Sequence, residues 1–122
     1  MLNENRTLLT FLFKSHETQI LEVILGGRIM DRETATEMVT SIVDRLDEEH
    51  NKVVLDLSSV DYINSNGLNS LISILTKTRT RGGDVVLCNI NEKIEKLLLI
   101  TKLNTVFTTA QSVEEAVALL NS

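Results

Sequence analysis

The stretch VDYINSNGL, residues 60–68, decides the fold because two different patterns meet in it. The preceding run KVVLDL, residues 52–57, has the length and the β-branched content of a short buried strand. The following segment places apolar side chains at i, i+3, i+4 and i+7 of an amphipathic helix, namely Leu68, Leu71, Ile72 and Leu75. Small polar residues fill the junction. The pattern predicts a strand that passes through a tight turn directly into a helix.

The N-terminal half of the chain predicts two more strands and a helix. Residues 7–14 and 19–25 are aliphatic runs, and together they indicate a hairpin. The glycine pair at 26–27 then breaks the strand pattern. From Ala35, apolar residues recur at helical spacing with acidic and polar residues between them, and they predict a helix that ends near His50.

The C-terminal half continues the alternation of strands and helices. The glycine pair at 82–83 ends the helix that follows the junction, and residues 84–88 form another aliphatic strand. Asn91 can cap a third helix, and a brief strand is expected at 105–107. The sequence SVEE at 112–115 is a capping box and predicts a last helix.

The predicted order, ββαβαβα(β)α, belongs to the α/β class. We expect one domain over residues 1–122, with a mixed sheet of four to five strands, about four helices and parallel central strands. In such sheets the working end lies at the carboxyl ends of the strands. Three loops should meet there, at residues 26–31, 58–66 and 89–91, and the junction belongs to that end.

Composition narrows the class of protein. A chain of 122 residues with a net charge of −5 predicts a single domain that does not bind nucleic acid, since such binding needs clustered Lys and Arg. No segment approaches the roughly 18 continuous apolar residues of a membrane span, and the N-terminal stretch lacks the features of a signal peptide. The one cysteine, Cys88, lies in an aliphatic strand and suits a reducing compartment. The prediction is a cytoplasmic protein.

Ser65 at the junction has more than one interpretation. Small polar residues often precede helices because their side-chain oxygens accept hydrogen bonds from unpaired backbone N–H groups, so Ser65 or Asn66 could be a helix cap. Asn66-Gly67 is also a strong signal for a two-residue hairpin. The helical spacing after Leu68 fits better than an alternating pattern, and the hairpin is therefore rejected.

A catalytic role for Ser65 is disfavoured. Residues 63–67 resemble the nucleophile elbow Gly-x-Ser-x-Gly, but Ile63 replaces its first glycine. Both histidines, His16 and His50, precede the serine, whereas the base of that motif follows it. No His, Cys and carboxylate cluster has metal-ligand spacing, and the glycine pairs lack the rest of a nucleotide-binding motif. The residues predict neither an enzyme nor a metal or cofactor site.

A phosphate acceptor is the remaining interpretation of Ser65. A serine at the positive end of a helix can carry a phosphate, which adds about −1.5 to −2 units of charge at neutral pH. Backbone N–H groups and the helix dipole suit such an anion. The domain could therefore tolerate the modification while a docked partner protein could not.

A series of motifs runs through the chain in a fixed order. Its members are Gly27-Arg28, Asp31, Asp56-Leu57-Ser58, Val60, Ile63, Ser65, Gly67-Leu68 and Gly82-Gly83. This series resembles the STAS domain, specifically the free-standing bacterial anti-sigma factor antagonists, and the likeness extends over nearly the whole chain. That family typically shows an aliphatic strand ending in Asp-Leu-Ser/Thr, followed by Val-x-x-Ile/Met-Asp-Ser-Ser-Gly-Leu.

The resemblance implies a switch and no enzymatic activity. An unphosphorylated antagonist binds an anti-sigma factor that is also a serine kinase, and this binding releases a sigma factor. The kinase phosphorylates the antagonist, binding is lost, and a PP2C-type phosphatase reverses the change. By position the acceptor is Ser65. The contact surface around it would comprise Asn64, Asn66, Asp61, Tyr62, Arg28 and Met30.

Two residues depart from the family pattern. Its aspartate is Asn64 here and its second serine is Asn66. Asn64 removes a carboxylate that would repel a phosphate, but kinases of this group can depend on that acid; Asn66 can replace the serine as a cap. The alternative is a STAS-type scaffold that binds partners without phosphorylation, with Ser65 as a cap only. The oligomeric state stays open, a homodimer included.

Overall fold

A mixed sheet of five strands, in the order β1-β2-β3-β4-β5, forms the middle of the fold in the computed structural model. The structure describes residues 9–15 and 19–121. The strands are β1 (Thr10–Ser15), β2 (Ile20–Ile29), β3 (Lys52–Ile63), β4 (Asp84–Cys88) and β5 (Thr108–Ala110). β1 pairs antiparallel with β2, and all later pairs are parallel. The predicted mixed sheet with parallel central strands is confirmed.

Helices cover both faces of this sheet. They are α1 (Arg32–Val43), α2 (Ser65–Arg79), α3 (Glu92–Ile100) and α4 (Val113–Leu120). The first three pack on one face and build the main core with it, while α4 packs on the other face. The expectation of about four helices is confirmed. None of the described helices is long and apolar enough to cross a membrane.

Alternation along β3 and β4 divides the core between the two faces. Val53 and Leu55 point into the main core, whereas Val54 and Cys88 pack beneath α4. Burial raises the pKa of the Cys88 thiol to about 12, with smaller contributions from the nearby carboxylates of Asp56 and Glu22. Cys88 is thus a buried apolar residue, as its aliphatic surroundings predict.

β2 and β3 are longer than the sequence predicts. β2 runs through the glycine pair to Ile29, and Gly27 adopts a φ of 89° that only glycine takes readily. The register shifts twice over this region, so β3 gains two extra residues and continues to Ile63. The expected loops at 26–31 and 58–66 are therefore mostly strand, and they shorten to a few residues.

α1 is shorter than predicted and ends at Val43 instead of near His50. The side chain of Asp31 caps its start by accepting a hydrogen bond from Thr34 N–H at 3.0 Å. Beyond its end, the Asp47 carboxylate accepts hydrogen bonds from the N–H groups of Glu49 and His50. Such local bonds offer the backbone an alternative to helix, which explains the early stop.

The last strand lies later in the chain than the sequence predicts. β5 begins at Thr108, and a 3-10 turn at Leu103–Thr105 occupies part of the position predicted for it. The capping prediction for α4 is confirmed, because Ser112 Oγ accepts from Glu115 N–H at 3.0 Å.

The predicted hairpin is confirmed by the β1–β2 pairing. Residues 7–8 and the turn with His16 lie outside the described residues.

Candidate functional site

Ser65 is the first residue of α2, and one residue, Asn64, separates it from the end of β3. Its side chain is exposed, and its hydroxyl makes no hydrogen bond to another residue in the described part of the chain. A hydroxyl in this position is free to react or to meet a partner. The predicted passage from strand through turn to helix is confirmed.

The helix cap is Asn64, so the expectation that Ser65 or Asn66 would cap α2 is wrong. Asn64 Oδ1 accepts a hydrogen bond from Gly67 N–H at 3.1 Å, and the Asn64 carbonyl accepts from Leu68 N–H at 2.9 Å. Asn66 instead turns its amide away and donates to the Met30 carbonyl at 3.1 Å. The cap lies one residue earlier because the helix already includes Ser65.

Ser65 lines the smaller of two adjacent recesses. The first, of about 430 Å³, lies between the start of α2 and the side of α3, and its apolar lining includes Leu68, Ile94 and Leu97. The second, of about 760 Å³, lies between the ends of β2 and β3 and the start of α3, and Arg28 and Glu92 line it. Both recesses share a border of three residues: Asp61, Tyr62 and Lys93.

The structure brings the predicted contact residues to one end of the sheet. Arg28 and Tyr62 are register partners in the β2–β3 ladder, and Tyr62 is 46% exposed. Asp61 is exposed beside it. The half-buried residues Met30, Asn64 and Asn66 are joined by hydrogen bonds. Whether these six residues contact a partner stays a prediction.

The start of α3 is the part of the site that the sequence analysis missed. Asn91 Oδ1 accepts from Ile94 N–H at 2.9 Å, which confirms the predicted cap. Its Nδ2 also donates to the Val60 carbonyl at 3.1 Å, on the part of β3 that extends beyond β4. This second bond holds Lys93 and Ile94 beside Ser65. The capping asparagine after β4 was the available signal.

The larger recess, next to the one that Ser65 lines, carries balanced charges. Arg28 and Lys93 are matched there by Asp61 and Glu92. Among the described residues no group of three or more His, Cys, Asp or Glu side chains could hold a metal ion. A phosphate on Ser65 would therefore add negative charge beside a nearly neutral surface.

Replacing Asn64 with aspartate is expected to lower the free energy of unfolding at pH 7 by about 1 kcal/mol. Aspartate keeps the capping oxygen for Gly67 N–H, but an ionised carboxylate cannot donate to the Met30 carbonyl as the Asn64 amide does at 3.1 Å. Below about pH 4 the protonated carboxyl can donate again, so the loss should shrink. Urea unfolding of both proteins at pH 7 and in acid measures this, and equal stability at pH 7 would contradict it.

Comparison with known proteins defines the family. The model of the STAS domain matches residues 16–116, so this chain belongs to the STAS domain family. A relative from Bordetella bronchiseptica, provisionally named anti-sigma factor antagonist BtrV, is 28% identical over 90 residues, which are 74% of this chain and 78% of BtrV.

Solved structures share the whole fold. The crystal structure of a Thermotoga maritima protein, provisionally described as an anti-sigma factor antagonist, is 27% identical and has a TM-score of 0.78, with 92% of this chain and 95% of that chain covered. The unphosphorylated anti-sigma factor antagonist SpoIIAA matches at 14% identity and a TM-score of 0.76, over 92% of this chain and 96% of its own. Phosphorylated SpoIIAA from Bacillus matches at 0.65 over 89% and 97%; at 14% identity, these two likenesses concern the fold alone.

Proposed function

We propose that this protein is an anti-sigma factor antagonist whose binding to its partner is switched off by phosphorylation of Ser65. The observation that carries the proposal is the exposed Ser65 hydroxyl, which stands at the start of α2 and beside the apolar recess. Relatives named as anti-sigma factor antagonists support the general function. SpoIIAA, a protein of the same fold, has been solved in phosphorylated and unphosphorylated forms.

The site accounts for how a phosphate would act. The Ser65 side chain is exposed, so the free domain can carry a dianion in water at little cost. A partner that covers Ser65 would instead have to bury this charge, and burying an unpaired charge costs several kcal/mol. Each increment of about 1.4 kcal/mol lowers the affinity tenfold. Phosphorylation would thus release the partner and leave the fold intact.

The partners follow from this mechanism. An anti-sigma factor with serine kinase activity would bind the unmodified protein and phosphorylate it, and a PP2C-type phosphatase would restore the binding form. We place this exchange in the bacterial cytoplasm, where ATP and sigma factors meet. The protein itself would act by binding and would need no catalytic group or cofactor.

Incubation with the anti-sigma factor kinases of the same genome and ATP tests the proposal. We expect one of them to phosphorylate the intact protein at Ser65, as peptide mass spectrometry would show. Ser58 and Ser59 are exposed on β3 nearby and provide internal controls that should stay unmodified. The variant Ser65→Ala should take up no phosphate. If none of these kinases phosphorylated Ser65, the result would contradict the proposal.

A second candidate is a STAS-type scaffold that binds its partner constitutively. The amide at Asn64, in place of the carboxylate of the family pattern, favours this alternative. On the sequence alone this alternative gave Ser65 the role of a helix cap, and that role is wrong because Asn64 caps the helix.

A further inference from the structure

Two asparagine side chains converge on one backbone carbonyl next to Ser65. Asn64 Nδ2 and Asn66 Nδ2 each donate to the Met30 carbonyl at 3.1 Å. Met30 lies in the loop between β2 and α1, 34 positions from Asn64 in the sequence. The Asn64 N–H adds a third bond between the same segments, to the Ile29 carbonyl at 3.3 Å.

Asn64 uses both ends of its side chain. Its oxygen caps α2 at Gly67 N–H while its amide holds the loop at Met30. At neutral pH an amide supplies both an acceptor and a donor in this geometry without a charge. Serine at position 64 would keep the capping oxygen, but its single short hydroxyl group would no longer span from Gly67 N–H to the Met30 carbonyl. Both polar atoms of the Asn64 side chain thus already form hydrogen bonds within the domain.

The glycine that follows makes the contact between these segments close. A Cβ at Gly67 would lie 2.1 Å from the Ile29 carbonyl oxygen, so the first turn of α2 packs directly on the end of β2. This backbone contact and the two amide bonds are independent observations. Both fix the first turn of α2, which carries Ser65, against the segment 28–31.

We propose that Asn64 and Asn66 are positioning residues that lock the β2–α1 loop to the start of α2. Ser65, Arg28 and Met30 then form one preorganised docking face. This inference rests on the proposed function, because it concerns the same binding face. A face that is already ordered loses less conformational entropy on binding, and the two amides therefore contribute to affinity without touching the partner.

Variants that remove the donors and keep the cap test this role. Asn64→Ser retains a good capping oxygen, and Asn66→Ser leaves the cap untouched. Asn69→Ser is the matched control, since Asn69 is exposed on α2 and its side chain makes no hydrogen bond to the described residues. If the double variant folds poorly, Asn66→Ser alone still removes one of the two amide donors.

Hydrogen exchange in the free protein is the first measurement. In the double variant we expect the backbone amides of residue 64 and Gly67 to exchange about fivefold faster than in the wild type. The amide of Leu55, deep in β3, reports global unfolding and serves to correct for it. Unchanged exchange at both positions would overturn the lock.

Affinity for the anti-sigma factor found in the phosphorylation survey is the second measurement. We expect the double variant to bind about tenfold more weakly and Asn69→Ser to bind as the wild type does. Faster exchange with unchanged affinity would overturn the positioning role. A wild-type protein that binds no anti-sigma factor would overturn the proposed function and the docking role with it. The exchange measurement needs no partner and separates the two failures.

Discussion

Replacing Ser65 with aspartate is expected to weaken binding to the anti-sigma factor about a hundredfold, which corresponds to about 2.7 kcal/mol. The substitution places a permanent negative charge where the partner would cover an exposed, uncharged hydroxyl. The free domain should keep its stability, because an acidic residue in the first turn of a helix is favourable. Calorimetric titration of both proteins with the partner, alongside their thermal unfolding, measures the two effects.

Two matched variants show whether the position or the charge is responsible. Thr76→Asp adds the same charge to the same helix at an exposed residue about 16 Å further along its axis, and it should bind as the wild type does. Ser65→Ala removes the hydroxyl without a charge and should also bind. If Ser65→Asp bound with wild-type affinity, the constitutive scaffold would be the better account. Equal losses for the two aspartates would point to the overall charge of the domain.

Replacing Gly67 with alanine is expected to lower the free energy of unfolding by about 3 kcal/mol. The added Cβ would lie 2.1 Å from the Ile29 carbonyl oxygen and 2.7 Å from Ile63 Cγ2. Neither neighbour can retreat easily, because both belong to paired residues at the ends of β2 and β3. Within a helix, alanine is otherwise favoured over glycine by about 1 kcal/mol, so the steric effect opposes and exceeds the propensity. Chemical denaturation measures the difference.

Asn69→Ala is the control for this prediction. It places alanine on the same helix at an exposed residue, where propensity alone acts, and its stability should equal or slightly exceed that of the wild type. A Gly67→Ala protein as stable as the wild type would show that α2 does not rest on the end of β2 as closely as the backbone indicates.

Strong local patterns made much of the fold predictable. The helices after Ser65, Asn91 and Ser112 were recognised from apolar periodicity and capping residues, and they form where expected. The second half of β3 was not recognised. There the exposed and buried residues repeat every three positions, since Ser58 and Ser59 are exposed before Val60, and Asp61 and Tyr62 before Ile63. The shifts in register with β2 replace the simple alternation that identifies a strand.

The site was predictable in its position and less so in its internal bonds. The motif around Ser65, together with the family resemblance, identified the junction and the residues near it. The hydrogen bonds from Asn64 and Asn66 to Met30 join segments far apart in sequence, and no local sequence pattern predicts them. The structure shows that the Asn64 side chain bonds within the domain, and its contact with a partner stays a prediction.

The order of the strands in space repeats their order along the chain, and this has a consequence for how the domain is made. Each strand adds to the open edge left by the one before it, so pairing can follow synthesis from the N-terminus. Met30, Ser65 and both asparagines all precede β4. In a growing chain, all the residues that hold the segment that would receive the phosphate therefore emerge before the final strand and helix.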